Sequence, residues 1–315
     1  MNTFLSGSLA VLLLAGAPAA PLYAQQPAHQ PAQQSAQQPG SHQATLRAQL
    51  ESHLKQIADR LDGVMGYFVV DLTSGERFGL RENETFPTAS TIKLTILYEL
   101  FKQVDAGTIK LDVPEPLPAA ARAGGSGLVG QLTSPHLSLR DHAILMILIS
   151  DNTSTNVLID RLGLKAIQAR VEGLGLTRTK LRRRMMDTDA ARRGDENVSS
   201  PAEVARLLEL FERGEGLTPA SRDAALDILT KPKSTAFTRT LPSGLRIASK
   251  PGDLDGVVVD AGYVMLKGRP YIAAFMTTYL SKDSDGEAAI GEASRAVFDY
   301  FDRIGAEGSY GRRIR

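Results

Sequence analysis

The sequence predicts a mixed α/β (α+β) fold: an antiparallel sheet formed from both ends of the folded region, flanked by helices, with an all-helical subdomain inserted between them. Strand-like segments lie near the start of the folded region, at 66–71 and 76–80, and return near its end, at 245–249, 257–266 and 271–279. Between Thr91 and about Leu229 the pattern is almost entirely helical. Strands at both ends with helices between them bury one apolar face most simply by packing into a single sheet.

The elements follow in chain order. Leu9-Ala-Val-Leu-Leu-Leu-Ala15 is too short to span a bilayer and is followed by small residues up to Leu22-Tyr23-Ala24. That pattern predicts a signal peptide over 1–24, with an uncleaved anchor as the alternative. Residues 25–43 are rich in Gln, Pro and Ala and poor in large apolar side chains. They cannot bury a core, so a disordered linker is expected there.

Leu46, Leu50, Leu54, Ile57 and Leu61 recur at helical spacing. Gly66–Asp71 and Glu76–Leu80, joined across Thr73-Ser74-Gly75, form a hairpin pattern. Pro201 opens an amphipathic helix over Ala202–Phe211, and Lys267-Gly268-Arg269 turns the last strand pair. A helix over Gly286–Phe301 closes the folded region. The expected folded domain is 44–306, with its sheet part at 44–86 and 232–306, its helical part at 87–231, and a tail at 307–315.

Composition narrows the function classes. Lys plus Arg total 36 against 35 Asp plus Glu, a net charge of +1, which argues against nucleic acid or an anionic membrane as partner. The chain has no cysteine, so it has no disulfide, thiol nucleophile or lipoprotein anchor.

The chemistry concentrates at Ser90-Thr-Ile-Lys93, just ahead of the apolar run Leu94–Phe101. Residues three apart on a helix are neighbours, so the Lys93 amine can reach the Ser90 hydroxyl. A weak alcohol beside a base is the requirement for an activated nucleophile, and exposed N–H groups at a helix start favour negative charge on its oxygen. Ser150-Asp151-Asn152 closes the apolar run Ala143–Ile149, and Lys250-Pro251-Gly252 follows Leu245–Ser249.

These three elements, in this order, resemble the S-x-x-K, S-D-N and K-T-G motifs of class A β-lactamases and penicillin-binding proteins. The flanking Phe86–Leu94, Ser150–Asn156 and Leu241-Pro242 are similar too, and the resemblance covers residues 44 to 305. It implies the two-part β-lactamase/transpeptidase-like fold, with the site in the seam between sheet and helices. It also implies Ser90 as nucleophile, Lys93 or a separate carboxylate acting through water as the acylation base, Ser150 as proton relay to the leaving nitrogen, and Asn152 as partner of the substrate amide. Lys250, with Gly252 and Asp253 after it, would bind the substrate, and the N–H groups of Ser90 and Asp253 would form the oxyanion hole.

Two departures stand out. Pro251 replaces the usual threonine, removing a hydroxyl and an N–H together. The family's deacylating glutamate falls, counting back from Pro201, on Arg184, and no glutamate lies between Leu174 and Asp195. Asp187 or Asp189 could substitute if the loop is rearranged; the alternative is that both are solvated loop carboxylates.

Gly125-Ser-Gly-Leu-Val-Gly130 matches a dinucleotide-binding pattern but has no strand before it. A Ser-His-Asp triad is disfavoured because no G-x-S-x-G occurs, and His136 and His142 have no carboxylate at metal-ligand spacing.

The expected activity is therefore a class A-like serine β-lactamase acting through a Ser90 acyl-enzyme. The alternatives are a D,D-peptidase-like hydrolase of cell-wall peptides or other amides, and a slowly deacylating covalent binder or sensor. No cofactor or metal is expected. The partner is a small-molecule β-lactam or cell-wall peptide, with no nucleic acid and no stable membrane partner, and the protein is expected to be an exported, periplasmic or secreted monomer.

Overall fold

A computed structural model of the chain describes residues 40–308 together with 311 and 312. The signal-peptide expectation and most of the linker lie outside the described residues. The first helix, α1, spans Gly40–Arg60, so residues 40–43, assigned above to the linker, belong to its first turns. Leu50, Leu54 and Ile57 are its buried stripe.

The hairpin forms as expected from β1 (Val64–Asp71) and β2 (Arg77–Leu80). Its turn is fixed by Asp71, whose Oδ1 accepts from Thr73 N at 2.8 Å and whose Oδ2 takes the Arg269 guanidinium at 2.6 Å. Then come β3 (Phe86–Pro87), a 3₁₀ turn (Ala89–Ile92) and α2 (Lys93–Asp105). Every residue of α2 from Lys93 to Phe101 is buried, which makes it the central helix.

The helical part continues with β4 (Glu115–Pro116), β5 (His136–Leu137), α3 (Leu139–Leu148), α4 (Asn152–Leu162) and α5 (Leu164–Gly173). Next are α6 (Thr188–Arg192), β6 (Val198–Ser199), α7 (Pro201–Arg213) and α8 (Pro219–Leu229). The caps explain the boundaries. Ser138 and Asp141 form a reciprocal capping box on α3, Asp151 caps α4, and Ser200 with Pro201 starts α7. Gly214 ends α7 in the left-handed conformation.

The chain returns as β7 (Ile247–Leu254), β8 (Val257–Val264) and β9 (Tyr271–Thr278), and closes with α9 (Asp283–Gly305). The sheet order is β2-β1-β9-β8-β7, with each adjacent pair antiparallel. One face packs on α2 and α7 and the other on α1 and α9, giving two apolar cores either side of the sheet. Val259 and Ala261 of β8 point into the first core, Val258 and Val264 into the second.

One boundary differs from expectation in a way that matters. β7 does not stop before Lys250-Pro251-Gly252 but runs through it to Leu254. Pro251 is tolerated inside a strand because β7 is the sheet edge.

Candidate active site

The turn carrying Ser90 is held from two sides. On one, β3 pairs with β6, and the Thr88 N–H and hydroxyl both donate to Asn197 O at 3.0 Å. On the other, β7 presses directly on it: a Cβ added at Gly252 would lie 2.5 Å from Ser90 N and 2.9 Å from Thr91 N. Gly252, expected above to bind substrate, is the point of close approach between β7 and the Ser90 turn. Ala89, immediately before Ser90, has φ 45°, a strained conformation for a residue with a Cβ.

Ser90 opens into a cavity of about 200 Å³. Asn152 and the Gly125-Ser126 loop form one side, Asp253 and Leu254 of β7 another, and Arg183, Met185, Met186 and Asn197 the third. The sequence singled out Ser90, Asn152 and Asp253, and the structure brings these three together. The loop wall carried no motif and was missed.

Lys93 is fully buried, and the hydrogen bonds of its amine go to the Ser150-Asp151-Asn152 loop. Nζ lies within hydrogen-bond distance of Ser150 O at 2.7 Å, Ser150 Oγ at 2.9 Å and Asn152 Oδ1 at 3.0 Å. Lys250, equally buried, donates to the same Ser150 Oγ at 3.1 Å and to Pro251 O at 2.8 Å. Two ammonium groups sharing one oxygen out of water repel each other. Burial, and then Lys250, push Lys93 well below the usual lysine range. Burial brings Lys250 down to about 7, although Asp260 opposes the shift.

Ser150 is presented in the left-handed region, φ 57°, by a loop that Asp151 braces. Asp151 Oδ1 accepts from Ser154 N at 2.7 Å, while Oδ2 accepts from Leu128 N and Val129 N at 2.7 and 2.9 Å. Gly127 is obligatory beside it, since an added Cβ would fall 2.1 Å from Asp151 Oδ2. The glycine-rich stretch at 125–130 is therefore the partner of the Ser150 loop. Ser126 O accepts from Asn152 N, and Gly124 O from Asn152 Nδ2, both at 3.0 Å.

The two aspartates offered as deacylating bases are elsewhere. Asp187 caps α6 through Ala190 N at 2.9 Å, and Asp189 is 77% exposed in an ion pair with Arg192. Neither lines the Ser90 cavity. Arg184, reached by counting, donates to Asp160 Oδ2 and Ala120 O, outside the cavity. Met185 occupies the wall instead, its backbone held by Asn156 through N–H to Oδ1 at 2.9 Å and Nδ2 to O at 3.2 Å. Met186 follows with φ 63° and lies over Gly125, where an added Cβ would come within 3.1 Å of its sulfur.

The sequence profile of the beta-lactamase enzyme family matches residues 49–301. The chain belongs to that family. Among its relatives, Beta-lactamase SME-1 of Serratia marcescens is 27% identical over 263 residues, covering 80% of this chain and 88% of that protein. Of solved structures, PBP-A superposes with a TM-score of 0.75 at 32% identity, covering 81% of this chain and 96% of PBP-A. A mutant of PBP-A, solved as its acyl-enzyme complex with penicillin-G, gives 0.74 and 32% over 82% of this chain and 97% of that one. Within this β-lactamase family fold, the seam between sheet and helices is where the Ser90 cavity lies.

Proposed function

We propose that the protein is a serine hydrolase that opens the β-lactam amide through an acyl-enzyme on Ser90, and that it forms this ester faster than it breaks it. The observation that carries the reading is the pair of buried lysines sharing Ser150 Oγ beside the Ser90 cavity. Crowded out of water, one of the two amines is neutral near neutral pH and can act as a base.

In this mechanism the neutral Lys93 amine takes the Ser90 proton as Oγ attacks the lactam carbonyl. The Ser90 and Asp253 N–H groups hold the oxyanion. When the C–N bond breaks, Ser150 gives its proton to the ring nitrogen and regains one from Lys93. Lys250, charged, receives the substrate carboxylate, while Asn152 meets the acyl amide.

Breaking the ester needs a base for water, and the loop wall offers thioethers rather than a carboxylate. Loss of a positioned base costs about 10²–10⁴ in rate. This wall favours a long-lived adduct as the second reading, a covalent β-lactam binder.

Intact-protein mass spectrometry with penicillin G tests both. The expected result is an adduct of the full penicillin mass, mapped to Ser90, that decays slowly and is absent in Ser90→Ala. Turnover surviving in Ser90→Ala overturns the mechanism. A failure to react with penicillin, with cleavage of a D-Ala-D-Ala peptide instead, moves the substrate to cell-wall peptides. Export after cleavage at Ala24 is part of the same proposal and is checked by N-terminal sequencing of the secreted protein, expected to start at Gln25. Among the described residues no helix is long and apolar enough to cross a membrane.

A further inference from the structure

A shared acceptor does not decide which of Lys93 and Lys250 carries the charge; the groups around them do. Facing Lys93 are Lys250 from β7, Asp151 from the start of α4, and Asp253 from the end of β7. The Asp151 carboxylate is already engaged by three backbone N–H groups, at Ser154, Leu128 and Val129. Facing Lys250 are Asp260 from β8, Lys233 from the segment after α8, Asp253, and Lys93 across Ser150 Oγ.

Asp260 is the unusual member. It is buried, and it stands opposite Pro251 in the β7–β8 register, one residue from Ala261, the partner of Lys250. Its Oδ2 accepts from Phe237 N at 2.9 Å, while Oδ1 has no hydrogen-bond partner. The remaining groups facing it are the Thr235 hydroxyl, the Ala261 amide and Lys250. Lys233, which also feels it, has its amine on Leu229 O and Lys231 O, both at 2.8 Å, and is no ion-pair partner. A buried carboxylate with an orphaned oxygen is costly, and the Thr235 hydroxyl and the Phe237 and Ala261 amides offset only part of that cost.

We propose that Asp260 is a positioning residue: from behind β7 it holds the proton on Lys250, and so leaves Lys93 as the neutral amine that Ser90 needs. The inference rests on the acylation mechanism above. Strand alternation sends the Asp260 side chain to the α1–α9 side of the sheet, because its β8 neighbours Val259 and Ala261 face the other core. Its charge therefore reaches Lys250 through the strand rather than by contact. A direct ion pair would occupy the ammonium; a carboxylate behind the strand leaves its protons free for substrate. Burial raises Asp260 to about 6, so it is mostly ionised at neutral pH and switches off below that.

The test is an NMR titration of ¹³Cε-lysine and ¹³Cγ-aspartate protein, which requires no turnover. Asp260→Asn removes the charge and keeps an acceptor for Phe237 N–H. The Lys250 midpoint should fall by about one pH unit and that of Lys93 should rise. The alkaline limb of single-turnover acylation by a chromogenic cephalosporin should move down with Lys250.

In the unmutated protein, Lys250 should also respond at the pH where Asp260 titrates, a measurement that stands even if the variant does not fold. Unmoved lysine midpoints in Asp260→Asn, with or without a lowered Tm, make Asp260 a structural brace and overturn the proposal. So does a Lys250 signal blind to the Asp260 step. Midpoints that move without any Ser90 adduct would instead remove the acylation mechanism and leave the proton assignment standing.

Discussion

Met185 and Met186 put two thioethers where a hydrolytic cavity needs a proton acceptor, and this is the sharpest consequence at the level of single residues. Asn156 fixes the Met185 backbone from both sides, so a glutamate there would be held in the same place. Met185→Glu is expected to shorten the lifetime of the Ser90 adduct by about 10²–10⁴. Following the adduct by mass after a penicillin pulse checks this, and an unchanged lifetime would show that the wall does not limit hydrolysis. Asp187→Asn should leave that lifetime alone, because asparagine caps a helix about as well as aspartate. The placement of these loop residues was not legible beforehand. The gapless count ended one residue away, on Arg184, because an irregular loop takes its phase from partners such as Asn156 and Asn197 rather than from any period.

At the level of elements, the close contact between β7 and the Ser90 turn joins the sheet to the proposed nucleophile. With 2.5 Å between an added Cβ and Ser90 N, Gly252→Ala must push the turn off the strand. The expected cost is about 1–3 kcal/mol, the range for overpacking a tight contact. Acylation should fall together with Tm, since the displaced atoms include the proposed oxyanion donor. Thermal melts combined with single-turnover acylation measure both, and a lowered Tm with acylation intact would separate the contact from the chemistry. Ser90, Lys93, Ser150 and Asn152 were legible because each sits at or beside a helix start, where spacing and capping chemistry are local. Gly252 was legible only as a motif letter, since its role comes from a strand and a turn about 160 residues apart in the chain.

For the whole molecule, the buried ionisable groups set an unusual dependence of stability on pH. Lys250 at about 7 and Lys233 at about 8 lie below the ordinary lysine value of 10.5, and Lys93 is depressed as well. Between about pH 7 and 10 the unfolded chain binds more protons than the folded one, so stability rises with pH there. Asp260, raised from 3.8 to about 6, acts the other way and makes stability fall as pH climbs through that interval. Above about pH 10 the buried tyrosines take over, with Tyr67 raised to about 12, and stability declines again. Denaturant titrations across this range should find a trough near neutral pH and a rise toward pH 10. Lys250→Met should flatten part of that rise; an equally steep rise in the variant would mean that Lys250 is not depressed.

The sheet-and-helix plan was readable from the chain alone, because strand alternation, helical spacing and caps are written within a few residues of where they act. The proposed acylating residues were also marked there, as a serine and a lysine one helical turn apart. That Lys93 and Lys250 meet on Ser150 Oγ emerges only from the folded arrangement. It alone placed Met185 rather than a carboxylate in the wall, and Asp260 behind β7. Those are relations between segments far apart in sequence, set by how elements pack and by which charges packing removes from water.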